Sequence, residues 1–365
     1  MSYSGENRYF SFRDGFCESL PNVNIGSAEA TELGRTVSRF FRRFSVGCDG
    51  FSHMHILYAI CCGLSECGRD VYVCENTDLP SFKFGMPLIS ADCGIFISGE
   101  NCIKISFFGE RGFPVTSELL TEIMKAEPAE TVEKCGRINQ STSFRSIYID
   151  NIADSFGGTG SSIPAGISCG NRSVRSLWLE FFTGEDDSLV FQISDDGQRV
   201  NAYSSQVGFI SYEKLILAHA LNLSQQGQAV YLPENFHYGA DFLTSESPLK
   251  IIRFSTEKKI PEEVVKQRFL LDPLYMCTHL ARNNIIKSVK ALPQLASAKR
   301  EITIDSVENI PYGKTILEND GRIIISRSGK NRITLLAQAY SSETAAELCS
   351  DWSEKLRRIG SQQNI

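Results

Sequence analysis

A chain of 365 residues with 42% hydrophobic content, 22% charged content and a formal net charge of -6 has the balance of a folded protein, and is too long for one ordinary core. That acidic balance excludes the broad basic face that nucleic acids and anionic membrane surfaces require. No stretch reaches the roughly 18 uninterrupted apolar residues of a membrane span, and the N-terminal MSYSGENRYF lacks the apolar core of a secretory signal, so a cytoplasmic protein is expected.

In chain order, the segment Arg35 to Arg43, with Phe40, Phe41 and Phe44 interleaved, predicts a helix with a charged outer face and an aromatic inner one. Arg43 to Gly47 reads as a strand. Met54 to Cys67 reads as a helix with Ile56, Leu57, Ile60, Cys61 and Leu64 on one face, ending at Gly68. Val71 to Cys74 is the next strand, Ser81 to Ser90 a helix, and Ile95 to Ile97 a third strand. Thr116 to Ala126 is a helix with a polar start. Strands separated by helices predict a mostly parallel sheet covered on both faces.

Residues 157 to 170, GGTGSSIPAGISCG, read as a Gly/Ser-rich loop. Strands at Ser146 to Ile149 and Leu189 to Ile193 flank a helix near Val174 to Phe182, and the turn SDDGQR, residues 194 to 199, follows. Phe209 to Leu223 is a helix, Ala229 to Leu232 and Lys250 to Phe254 are strands, and Pro261 to Phe269 and Pro273 to Leu292 are helices. The tail has strands at Ile302 to Asp305, Arg322 to Ser326 and Ile333 to Ala339 before a helix from Ser342 to Arg358, a small α+β unit.

The chain has twelve cysteines, but Cys61, Cys62, Cys74, Cys93 and Cys277 sit inside apolar patterns, where a reduced thiol packs as a small hydrophobe. There is no pair of Cys-x-x-Cys motifs, and the five histidines do not cluster with cysteines, which argues against zinc. His53 and His55, two apart, are expected to be solvated or capping residues.

FSVGCDGFSHMHILYAICCGLSECGRDVYV resembles the Val-Gly-x-Asp strand end, long helix and Gly-x-Asp-Val strand of the α-D-phosphohexomutase superfamily, the phosphoglucomutases and phosphomannomutases. ADCGIFISGENCIKISFFG resembles the strand that carries that family's phosphoserine loop and its Asn-Gly-x-Lys sequel. The order of modules is similar along nearly the whole chain, least between about residues 234 and 270. The resemblance implies three tandem mixed α/β/α sandwich domains plus a C-terminal α+β (TBP-like) domain, four domains around a central cleft. Their bounds would be residues 1–140, 141–204, 205–298 and 299–365. It also implies phosphoryl exchange on a serine, a magnesium loop reading Asp-Gly-Asp-x-Asp-Arg, a Gly-Glu-x-Ser-Gly sugar loop, and an Arg-x-Ser-Gly-Thr loop that grips the distal phosphate.

Each of these motifs is altered. In the serine loop, Gly99 aligns with the nucleophile from one side. From the other, Asn101 to Lys104 occupies the sequel and leaves only Ser98, Gly99 and Glu100 for a longer loop that has lost its histidine and proline. Ser98 is the hydroxyl that remains, with Lys104 to balance charge. In the metal loop, Ser194, Asp196 and Gln198 take the three carboxylate positions, with Arg199 kept. One carboxylate with a substrate phosphate would recruit magnesium weakly, whereas an acidic β-turn needs no metal. No sugar loop is found: TSESPLK, residues 244 to 250, and FSTEKK, residues 254 to 259, lack the glycines for close backbone approach. SRSGKNR, residues 326 to 332, keeps Ser328-Gly329 with Arg327, Lys330 and Arg332 alongside, a phosphate cradle or a hairpin turn. Arg13-Asp14-Gly15-Phe16-Cys17 and Val46-Gly47-Cys48-Asp49 each lack the family's arginine.

The resemblance therefore leads to a catalytically impaired or inactive homologue that binds a hexose phosphate, another phosphorylated small molecule, or a protein partner such as an active paralogue. The competing reading is an active, magnesium-dependent intramolecular phosphotransferase with Ser98 as acceptor. A structural subunit is a third, since fold does not choose among them.

Overall fold

The computed structural model describes residues 11–13, 16–19, 25–50, 52–99, 102–141, 143–158, 162–234, 236–237, 239–240, 251–254, 261–292, 294–304, 315–318, 321–327 and 332–361. The chain divides into two compact units, Met1–Phe209 with Thr256–His279, and Ile210–Ser255 with Leu280–Ile365.

In the first unit, β1 (Ser11–Arg13), β2 (Phe16–Ser19), β3 (Arg43–Cys48), β4 (Asp70–Cys74), β5 (Cys93–Ser98), β6 (Ile103–Gly109) and β7 (Ile138–Gln140) form one sheet in the order β1-β2-β6-β5-β3-β4-β7. β3 is parallel to β4 and β5, and β4 to β7, while β6 runs antiparallel to β5 and β2. Residues 44–48 and 93–97 are buried without a break, the pattern of strands covered on both faces. On one face, α1 (Ser27–Val37), α2 (Met54–Glu66) and α4 (Ser117–Lys125) pack over Val46, Ile95 and Ile97. Alternate residues of β5 point the other way, and there Phe96 meets Phe82 of α3 (Leu79–Gly85), with ring centroids 5.1 Å apart. α3 begins as its sequence dictates: Asp78 accepts from the Ser81 amide at 2.8 Å, and Pro80 occupies the first turn.

A second sheet in the same unit comprises β8 (Ile163–Ser168), β9 (Phe182–Gly184), β10 (Leu189–Ile193), β11 (Val200–Ser204) and β12 (Gly208–Ile210), ordered β12-β11-β10-β8-β9. β8 is parallel to β10 and β9, and β11 is antiparallel to β10. α5 (Phe144–Ser155) and α6 (Arg172–Trp178) accompany it, and Trp178, Phe182 and Phe191 form its aromatic centre. Asp272 of this unit accepts the Tyr148 hydroxyl at 2.6 Å and the Leu274 amide at 3.0 Å, capping the start of the helix Pro273–Arg282.

The second unit contains α7 (Tyr212–Gln225) and the parallel pair β13 (Val230–Pro233) and β14 (Ile251–Phe254). Its antiparallel sheet, ordered β15 (Ala296–Thr303), β18 (Arg332–Ala339), β17 (Gly321–Arg327) and β16 (Thr315–Glu318), is covered by the helix Ser342–Ser361. No helix among the described residues is long and apolar enough to cross a membrane.

The mixed α/β class is as expected, with local corrections. α1 ends at Val37, so the basic segment leaves the helix and Phe44 packs from β3. Ser146 to Ile149 is helical: Phe144, Tyr148 and Ile152 recur at four-residue spacing and are all buried, which overrides the β-branched look of the Ile147–Ile149 stretch. The expected loop at 157–170 contains β8, whose buried residues Ala165, Gly166 and Ile167 are too few and mixed to advertise a strand. α6 stops at Trp178, and Phe182 belongs to β9. The helix expected over Pro273 to Leu292 breaks at Asn284, which lies in the left-handed region and caps a second helix, Ile285–Lys290. β16 was not foreseen. In the first sheet the parallel strands β5, β3, β4 and β7 adjoin an antiparallel set, β6, β2 and β1, so that sheet is mixed.

Candidate functional site

The parallel strands of the first unit bring its candidate residues to two carboxyl edges, the side on which open α/β sheets hold ligands. At the first edge, Cys48 is in register with Ile97 and Gly47 with Cys74, so Asp49, Glu75 and Ser98 follow neighbouring strand ends. At the second, Ser168 is in register with Gln192, which puts Asn171 and the 194–199 turn side by side. The edges meet: the Asn171 side-chain amide lies 3.5 Å from Asp49 Oδ2.

Ser98 does not stand on a projecting loop. It is the last residue of β5 and the direct ladder partner of Lys104, so β5 and β6 form a hairpin closed by residues 99–102. Gly99 has φ +97, and a Cβ there would lie 2.2 Å from the Cys102 carbonyl oxygen, which explains why the nucleophile position of one alignment is a glycine. His53, at the start of α2, is 5% exposed and donates from Nε2 to the Gly99 carbonyl. It is thus neither solvated nor a side-chain cap, as the sequence had suggested, but the clamp of the shortened loop. His55 is exposed. Burial pushes the thiols of Cys48, Cys61, Cys74 and Cys93 up, Cys74 to about 12, so these thiols stay protonated and inert. Cys62, expected inside the helix packing, is exposed.

The 194–199 segment is a tight β-turn that consumes its own polar groups. Asp196 Oδ1 accepts the Ser194 hydroxyl at 2.6 Å and the Gln198 amide at 3.0 Å, and Ser194 Oγ accepts the Arg199 amide at 3.0 Å. The Gln198 side-chain carbonyl accepts from the Lys83 ammonium. Of three positions at which a magnesium site would present carboxylates, one is acidic with one of its two oxygens engaged, one is a hydroxyl turned inward, and one already holds a cation. No three His, Cys, Asp or Glu side chains among the described residues converge as metal ligands. This donor set does not fit magnesium, a hard cation that takes several oxygen ligands, carboxylates above all.

A buried polar network supports both edges. Asp78, with a fully buried side chain, pairs with Arg145 at 3.3 Å, and Arg145 reaches the Ser173 carbonyl at 3.1 Å and the Ser176 hydroxyl at 3.1 Å. Burial raises the Asp78 carboxyl, with its hydrogen bonds and Arg145 opposing. Burial likewise raises the Asp272 carboxyl and, further, the Tyr148 phenol, so the phenol is the donor of that pair. Thr116, expected as the polar start of its helix, does cap α4, its hydroxyl accepting the Leu119 amide at 3.3 Å. Lys83, Arg145 and the role of His53 were not legible, because each acts on a segment far away in the chain.

Ser328, Gly329, Lys330 and Asn101 lie outside the described residues, as do Asp14 with Gly15 and residues 244–250 and 255–259, the serine- and glutamate-bearing segments that lack the sugar-loop glycines. Arg327 ends β17.

No protein-family model and no curated protein match the sequence. Solved structures match its fold. A phosphoglucomutase/phosphomannomutase family protein from Burkholderia thailandensis superposes with a TM-score of 0.72 at 12% identity, covering 98% of each chain. A Thermus thermophilus protein assigned as a phosphomannomutase gives 0.69 at 13% identity, over 95% of this chain and 99% of the other. An N-acetylglucosamine-phosphate mutase of the α-D-phosphohexomutase superfamily, in its substrate complex, gives 0.51 at 10% identity over 95% and 96%. The fold is that of the phosphohexomutases.

Proposed function

We propose that this phosphohexomutase-fold protein binds a hexose phosphate or another phosphorylated small molecule without exchanging a phosphoryl group, and acts as a regulatory homologue. The observation that carries the reading is the β5–β6 hairpin: Ser98 is held in ladder register with Lys104. In-line phosphoryl transfer needs a nucleophile that reaches the donor and a group to accept its proton. Ser98 has neither a projecting loop nor a hydrogen bond from its hydroxyl to a base among the described residues. The 194–199 turn supports the same reading, since its oxygens and Lys83 meet each other's needs. For phosphate binding, the basic segment Arg327, Ser328, Gly329 and Lys330 is the proposed grip.

The test is a coupled mutase assay with glucose 1-phosphate and mannose 1-phosphate, with intact mass spectrometry. The expected result is no turnover and no phosphoprotein, with Ser98→Ala unchanged from the wild type. Binding is read by thermal shift, where a hexose phosphate at a hundred times its dissociation constant adds about 2.7 kcal/mol. Magnesium-dependent turnover that Ser98→Ala abolishes would instead establish the active mutase. The absence of a shift with every hexose phosphate would remove the ligand.

A further inference from the structure

Two elements of the first unit converge on the Lys83 side chain of α3. Its ammonium donates to Gln198 Oε1 in the β10–β11 turn and lies 5.5 Å from the centroid of the Phe108 ring on β6. Its charge also favours the ionised form of Asp272, the buried cap of the helix Pro273–Arg282. The turn is pressed against α3 and α6: Gly197 has φ +69, and a Cβ there would lie 2.8 Å from Pro80 Cγ and 3.3 Å from Val174 Cγ1.

We propose that Lys83 is a built-in cation for the 194–199 turn, latching α3 to β10–β11 so that the two sheets of the first unit are fastened without a metal ion. A lysine ammonium is a compact, strongly hydrated charge that must be given oxygen or π partners when drawn away from water. Here it has an amide oxygen and a ring face from two separate elements. A divalent ion offered to the same turn would meet a fixed positive charge, and Asp196 Oδ1 already accepts two hydrogen bonds. The neutral Gln198 suits a monovalent latch, because a hydrogen bond to a charged donor outweighs a neutral one without burying a second charge. The inference concerns how the unit is held together, and holds whether or not the crevice takes a sugar phosphate.

The experiment follows thermal unfolding and amide exchange of the full chain at matched ionic strength with magnesium chloride, manganese chloride or a chelator. The wild type is expected to be indifferent to all three. Gln198→Leu, at a half-buried position, lowers the midpoint by about 2–4 °C and speeds exchange across 194–199. Lys83→Met does the same, and the double variant is no worse than the more affected single one. Gln198→Glu, which offers the ammonium a full charge, retains or raises the midpoint and remains indifferent to magnesium. A dose-dependent stabilisation of the wild type by magnesium that Asp196→Asn removes would overturn the proposal. So would wild-type exchange across 194–199 in Gln198→Leu.

Discussion

His237 uses both ring nitrogens only in its neutral form. Nδ1 accepts the Gly239 amide at 3.0 Å, which leaves Nε2 to donate to the Ala296 carbonyl at 3.2 Å. Burial holds it below the usual histidine value, with Arg322 and Arg253 reinforcing and Glu213 opposing, and burial lowers His279 as well. The unfolded chain therefore takes up these protons first as pH falls through about 6.5. Their contribution to stability is complete above that value and is lost as pH falls through the depressed native values. Asp78 and Asp272, raised by burial, act in the opposite sense: their contribution is full in acid and lost as pH rises through the native values. The denaturant midpoint is expected to fall from neutral pH towards about pH 5, and His237→Gln, though less stable at neutral pH, to show a shallower decline. An unchanged slope would mean that His237 does not titrate in that window. At this scale the sequence was readable where a residue serves its own neighbours, as Thr116 does in capping α4. It was silent where one serves a distant strand, as Lys83, Arg145 and His53 do.

At the scale of elements, the central strands were legible because burial on both faces leaves an unbroken apolar run. α5 was misread because Ile147 and Ile149 imitate a strand while the buried face runs through Phe144, Tyr148 and Ile152. The break at Asn284 was hidden because the apolar pattern continues through both helices, and only a left-handed residue between them marks the turn. The crossing of α1 and α2 rests on small residues: a Cβ on Gly63 would lie 2.0 Å from the Thr31 carbonyl oxygen and one on Gly34 2.4 Å from that of Ile60. Backbone cannot yield as a flexible side chain does, so Gly63→Ala, normally favourable in a helix, should cost about 1–3 kcal/mol. Urea unfolding would read it, and a stabilised variant would show that the helices slide apart freely.

For the molecule as a whole, the order of modules was legible in the sequence, and the fold it implied is the one the phosphohexomutases share. What no linear reading exposes is that the first unit is closed by a returning segment, Thr256–His279. That segment supplies Asp272 to the Tyr148 hydroxyl and stacks Tyr275 on Phe156 with centroids 5.1 Å apart. A fragment ending at Phe209 loses these contacts of Tyr148 and Phe156. It is expected to bind an apolar dye and lose near-ultraviolet dichroism while keeping its far-ultraviolet signal. Native-like spectra from that fragment would show that the returning segment is dispensable.

The β5–β6 hairpin also sets the direction in which such a protein can evolve. A substitution changes what a position presents to its surroundings, but not how far the chain reaches. Each residue spans at most about 3.3–3.6 Å, and Ser98 is already in ladder register with Lys104. Regaining a protruding loop from this starting point takes inserted residues together with the release of His53 from the Gly99 carbonyl. Single substitutions can rewrite the chemistry of the crevice many times over, but the geometric threshold acts as a ratchet.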